Sequence, residues 1–99
     1  MKTKIITICG SLKFMQQMIE IAEKLELEGN CVLSVVYPTK NKEDYTADEI
    51  EILGKMHRTK IDISDAIYVV NVGGYIGTST KNEIEYAKQK GKEIIYLEN

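Results

Sequence analysis

Much of what would class this 99-residue chain at a glance is missing. Its apolar runs reach about six residues, far short of the roughly twenty that span a bilayer, so no membrane segment is expected. Met1-Lys2-Thr3-Lys4 leads into a strand and not into the apolar core of a secretory leader, which points to the cytoplasm. Basic residues form no stripe, and the formal charge of −2 with a pI near 5.4 argues against non-specific binding to nucleic acid. There are only two cysteines, Cys9 and Cys31, both at strand positions and without metal-ligand spacing; they are expected to be free buried thiols. The single histidine, His57, has no second histidine to share a metal, and no metal or cofactor is expected. The single proline, Pro38, closes a strand because it cannot donate to a sheet ladder. Repeats and low-complexity stretches are absent, and residues 1–99 read as one domain, too short to carry a separate substrate domain.

What is present is organised around one stretch, Ala66 to Ala87. A β-branched and aromatic run, Ala66 to Asn71, suits a buried parallel strand. Gly73, Gly74 and Gly77 then fall within five residues, which marks a loop needing positive φ or close approach to its backbone. Thr78-Ser79-Thr80 are residues favoured at helix N-caps, and a helix starting there aims its free N–H groups and the positive end of its dipole back into the loop. Thr80-Lys81-Asn82-Glu83 also matches the capping box, in which Glu83 folds back onto the cap N–H. Ile84, Ala87 and Gly91 mark the face packed on the sheet, which places Glu83 at the border of the buried seam.

The rest of the chain alternates strand and helix. Lys4–Cys9 reads as a strand ending at Gly10-Ser11. Leu12–Glu28 follows as a helix with Met15, Met18, Ile19, Ala22 and Leu25 on its core face and Gly29 as its stop. Cys31–Tyr37 is the second strand, and Thr39–Tyr45 a surface loop suited to a mobile lid. A capping box, Thr46-Ala47-Asp48-Glu49, opens a helix to about Lys60, with His57 on its mostly apolar side, where packing and catalysis are alternatives. Glu93–Leu97 is the last strand. The order β-α-β-α-β-α-β predicts an α/β fold: a three-layer, doubly wound, flavodoxin- or Rossmann-like parallel sheet of four strands in order 2-1-3-4. Ligands of such sheets bind where neighbouring strands send their helices to opposite faces, here between the loop Cys9-Gly10-Ser11-Leu12-Lys13 and the loop from Asn71 to Thr80.

A dinucleotide fingerprint would need G-x-G-x-x-G after the first strand, and Gly10-Ser11-Leu12-Lys13-Phe14-Met15 lacks it; no Walker loop is present. Cys9 as a nucleophile would need a run of N–H donors around its sulfur, and bulky Leu12, Phe14 and Met15 follow it instead. Ile8-Cys9-Gly10-Ser11-Leu12-Lys13, Ser64-Asp65 and the segment Gly77 through Glu83 to Tyr86-Ala87 together resemble the nucleoside 2-deoxyribosyltransferase superfamily. The likeness is nearest its deoxynucleoside monophosphate N-glycosidase branch and short phage-type relatives. The resemblance covers nearly the whole chain and implies cleavage of the base–sugar bond of a (deoxy)nucleoside or its 5′-monophosphate. Glu83 would be the nucleophile that attacks C1′, with Ser11 and Lys13 holding the sugar or its phosphate. The family's Asp three residues after a His is Lys60 here, which leaves Asp62 and His57 as candidates for the assisting role. The substrate-binding set implied is Cys9, Gly10, Ser11, Lys13, Asn71, Gly74, Tyr75, Gly77, Thr78, Ser79 and Thr80. The alternative is a non-catalytic module that senses or sequesters a nucleotide derivative. The partner expected is a small nucleoside or nucleotide, with a second copy of the chain closing a crevice that one short chain would leave open.

Overall fold

The computed structural model describes residues 3–99; Met1 and Lys2, on which the leader expectation falls, lie outside the described residues. Four parallel strands, β1 (Ile5–Gly10), β2 (Cys31–Leu33), β3 (Ala66–Val70) and β4 (Glu93–Tyr96), form one sheet in the order β2-β1-β3-β4. Three helices connect them: α1 (Met15–Leu27), α2 (Ala47–Asp62) and α3 (Thr78–Gln89). This is the doubly wound arrangement that the strand–helix alternation predicts.

The two-residue period of the central strands builds both cores. Ile6, Ile8, Ala66 and Val70 face one side, where Met18 and Leu25 of α1 cover them. Cys9, Ile67 and Val69 face the other, against Ile61 of α2 and Ile84 and Ala87 of α3. The layers are therefore α1, sheet, and α2 with α3. Thr7 falls on the second face and is buried, but its hydroxyl reaches Ser64 Oγ at 2.5 Å and donates to the Lys60 carbonyl at 3.1 Å, which ties the last turn of α2 to β1. Asp65 holds the start of the sheet by accepting from the Ile5 N–H at 2.8 Å. The Ser64-Asp65 pair thus performs a structural task at the amino ends of the strands.

Several local expectations are corrected. Leu12–Phe14 is a 3-10 turn, and α1 starts at Met15. Met15 and Ile19 are exposed, because α1 turns only Met18, Leu25 and the half-buried Ile21 and Ala22 toward the sheet, beside Phe14 of the preceding turn. β2 is an edge strand of three residues, and its short reach leaves the Cys31 thiol exposed instead of buried. The loop 39–45 contains a 3-10 turn, Lys42–Asp44, and is fastened by the Thr39 N–H donating to Tyr45 Oη at 3.1 Å. The capping box at Thr46 and Glu49 forms in both directions. The one expected at Thr80 and Glu83 does not: the N-cap of α3 is Gly77, three residues before Thr80. No helix among the described residues is long and apolar enough to cross a membrane.

Candidate functional site

The carboxyl ends of β1 and β3 lie side by side, with Gly10 opposite Val70 in the register. A side chain at Gly10 would meet the Val70 carbonyl oxygen at 3.1 Å and Met18 Sδ at 3.2 Å, so the closeness of strand, strand and α1 at this point favours glycine, and any larger residue would push its neighbours aside by a few tenths of an ångström. The next loop turns through Gly73 and Gly74 with φ of 65° and 82°, the left-handed backbone that their spacing predicts. Asn71 closes the loop onto the C-terminal segment: its amide donates to the Glu98 carbonyl at 2.8 Å and its oxygen accepts from the Glu98 N–H at 2.9 Å. At the loop's far end, Tyr75 packs edge-on against Phe14.

Between these loops and α2 lies a cavity of about 570 Å³, within the usual size for small-ligand sites. Gly10, Ser11, Tyr75, Gly77, Thr78, Ser79, Thr80, His57 and Glu83 are on its wall. Most of the residues singled out in the sequence therefore converge. A second cavity of about 350 Å³, bordered by Arg58, Asn82 and Tyr86, adjoins it, and Gly54, Ser79 and Glu83 belong to both walls.

α3 presents its N-terminus to the larger cavity without a side-chain cap. Its first backbone bond runs from the Lys81 N–H to the Gly77 carbonyl at 2.9 Å, which leaves the N–H groups of Thr78, Ser79 and Thr80 without intrahelical acceptors. Such an end attracts anions through those donors and through the helix dipole. Lys42 and Lys60 line the same cavity, a pair that the sequence did not single out because one sits in the loop 39–45 and the other near the end of α2. Lys60 Nζ donates to the Ser34 carbonyl at 2.7 Å.

Glu83 has been freed from capping by the early start of α3. As the sixth residue of the helix it turns inward, where its Oε1 lies 3.6 Å from His57 Nε2. The same nitrogen is 3.4 Å from Cys9 Sγ, so one imidazole nitrogen touches both other groups. Burial pushes the Glu83 carboxyl up to about 7, against the opposing pull of the Cys9 thiol and Arg58. Burial, with Lys60 adding repulsion, brings His57 down to about 4, so its ring is neutral at pH 7 and its 3.6 Å approach to Glu83 is a close polar contact instead of an ion pair. Burial and then the nearby Glu83 raise the Cys9 thiol well above its ordinary range, which makes it a poor nucleophile.

Five expected site residues are off the wall, Cys9 among them because it is fully buried. Asp62 ends α2 near the amino edge of the sheet, where it accepts from Tyr86 Oη at 2.6 Å; α2 runs antiparallel to the strands, so five residues beyond His57 the chain has left the cavity. Asn71 is engaged with Glu98, and Gly74 serves the turn without reaching the wall. Lys13 is also off the wall, with its Nζ 3.4 Å from the centre of the Tyr75 ring, a cation held on an aromatic face at the rim. His57 was open to a packed role satisfied by a carbonyl; instead its Nε2 meets Cys9 and Glu83.

No protein-family model and no curated protein matches the chain. Among solved structures it is similar to a conserved protein from Enterococcus faecalis V583, with a TM-score of 0.66 and 16% identity. The match covers 96% of this chain and 63% of that one, so this chain spans less than two thirds of the other's length, and the likeness is one of fold.

Proposed function

We propose that the chain cleaves the base–sugar bond of a nucleoside or its 5′-monophosphate, as the resemblance to nucleoside 2-deoxyribosyltransferases implies, with Glu83 as the nucleophile. The observation that carries this reading is the position of Glu83: released from the cap, mostly buried, and set on the cavity wall beside the uncapped end of α3. Among the described residues it is the one carboxylate on that wall. Glycosidases of either stereochemical outcome ordinarily pair a second carboxyl with the first to protonate the leaving group; with one on this wall, solvent takes that part. The Glu83 carboxylate attacks C1′, the C1′–N bond breaks, and its electron pair leaves with the base, which takes a proton from solvent. Water, or a second base, then displaces Glu83 from C1′ and restores the carboxylate. Neutral His57, with its Nε2 3.6 Å from Oε1, packs beside the carboxyl and restricts its orientation, the role left open by Asp62's distance. A 5′-phosphate is placed at the N–H groups of Thr78, Ser79 and Thr80, within the field of Lys42.

The cavity opens beside an apolar strip of α2, where Ile50, Leu53 and Met56 are 46%, 40% and 50% exposed, and beside Val36. A second copy of the chain covering this strip would close the mouth over a bound nucleotide, which makes a homodimer or larger homo-oligomer the working form.

A second reading has its own support. A solitary carboxyl pushed up to about 7, without a partner carboxylate on the wall, suits a module that binds a nucleotide derivative without cleaving it. Incubation with a panel of nucleosides and 5′-nucleotides, with free base separated by chromatography, decides between them. Base release in the parent, lost in Glu83→Gln, supports the glycosidase; binding with no release from any compound supports the module.

A further inference from the structure

Cys9, His57 and Glu83 stand 48 and 26 residues apart in sequence, yet a sulfur, a nitrogen and a carboxylate oxygen from them all lie within 4.8 Å of one another. Three elements supply them: the inner end of β1, the third turn of α2 and the second turn of α3. From this juxtaposition we propose that the three side chains form a binding site for a zinc-class divalent metal ion, an inference that goes beyond glycoside cleavage and stands on geometry alone.

The distances fit. Zinc bonds of about 2.0–2.1 Å to imidazole nitrogen, 2.0–2.2 Å to carboxylate oxygen and 2.3 Å to sulfur place tetrahedral ligand atoms about 3.3–3.6 Å apart. The observed separations are 3.4 Å from Cys9 Sγ to His57 Nε2 and 3.6 Å from His57 Nε2 to Glu83 Oε1. The third pair, Cys9 and Glu83, lies within 4.8 Å, so the two side chains would close onto the ion from either side of His57. The charges fit as well: a thiolate and a carboxylate balance a divalent ion, the imidazole stays neutral, and the thiol and carboxyl protons pass to solvent as the ion binds. The set of soft sulfur with borderline nitrogen selects zinc over magnesium or calcium, which prefer oxygen alone. Cys9 is fully buried and closes the inner side, while His57 and Glu83 border the larger cavity, so the fourth position faces the space a ligand would occupy. Three protein ligands with one open position is the pattern of an ion that holds water or a ligand atom.

Cobalt titration tests this site. Protein freed of metal by a chelator is titrated with Co²⁺, which reports a thiolate ligand through a near-ultraviolet charge-transfer band. The parent and Cys31→Ser should each show the band and saturate at about one equivalent. Cys9→Ser should lose it, and Glu83→Gln should keep it with affinity weaker by about a hundredfold or more, since loss even of groups behind the ligands costs about 10–100-fold. Because Glu83→Gln keeps the size and shape of the side chain, it decides the matter if Cys9→Ser does not fold. Absence of a saturable band in the parent, a band that disappears with Cys31→Ser, or unchanged affinity in Glu83→Gln would overturn the site. The metal-free protein reports separately on glycoside cleavage. If it releases base, one bound equivalent should suppress release by occupying Glu83, and undiminished release would refute the shared ligand. If it releases none, the cleavage reading fails while the titration still stands.

Discussion

Glu83 and His57 are perturbed in opposite senses by the same burial, and the folded state feels both. Glu83 is raised from 4.5 to about 7, so the folded state holds its proton more tightly than the unfolded chain. Its stabilising contribution is complete below pH 4.5 and is lost as pH rises through 7, an effect on the order of 3 kcal/mol at most. His57 is lowered from 6.5 to about 4, so its contribution is present above pH 6.5 and is lost as pH falls through 4. Between about pH 4.5 and 6.5 the two trends oppose each other, and this part of the parent's stability profile should be shallow. Replacing Glu83 by Gln removes one of them. Denaturant melts of Glu83→Gln at successive pH values should then show stability climbing from pH 4 toward 6.5; a profile as flat as the parent's would mean that the two groups are not buried together. The resemblance put Cys9, His57 and Glu83 in one candidate site, but nothing in the sequence shows that they touch or that burial perturbs them. Their separation is bridged only by the fold, and a lone histidine on an apolar helix face gives no sign of which buried group it will meet.

At the scale of elements, the sequence was most legible where one physical cause acts alone. The β-branched runs of β1 and β3 and the alternation of strand with helix were enough for the sheet order, because parallel strands need the crossovers that the helices supply. The Thr46 capping box was legible because a single cap candidate precedes that helix. The start of α3 was not. Thr78, Ser79 and Thr80 are all good caps, yet Gly77 takes the position, and Glu83 is then too far along the helix to reach back. The same shift that spoiled the local reading created the uncapped N-terminus on the cavity wall. An anion there should also feel Lys42, so Lys42→Ala should weaken binding of a 5′-monophosphate severalfold more than binding of the matching nucleoside. Lys13→Ala, at the rim on Tyr75, should do less. Equal losses for both ligands in Lys42→Ala, measured by calorimetry, would remove the phosphate from this end of the cavity.

For the molecule as a whole, the cavity and the exposed apolar strip of α2 belong to one surface. Leu53 and Met56 are part of the cavity wall and also of the strip that continues through Ile50. Light scattering at micromolar concentration should give a mass of at least two chains, and Met56→Lys, which sets a charge into the strip, should shift it toward one. A monomeric parent that still binds nucleotide tightly would contradict the shared pocket. Base release itself rests on one oxygen of Glu83. The most direct test of this compares release from 5′-nucleotides by metal-free parent and by Glu83→Gln, followed across pH. The parent's kcat/KM should rise with pH and level off above about 7 as the carboxyl ionises. Glu83→Gln should melt within a few degrees of the parent, still bind nucleotide, and release base slower by orders of magnitude. Release by Glu83→Gln at near-parental rate would contradict the account.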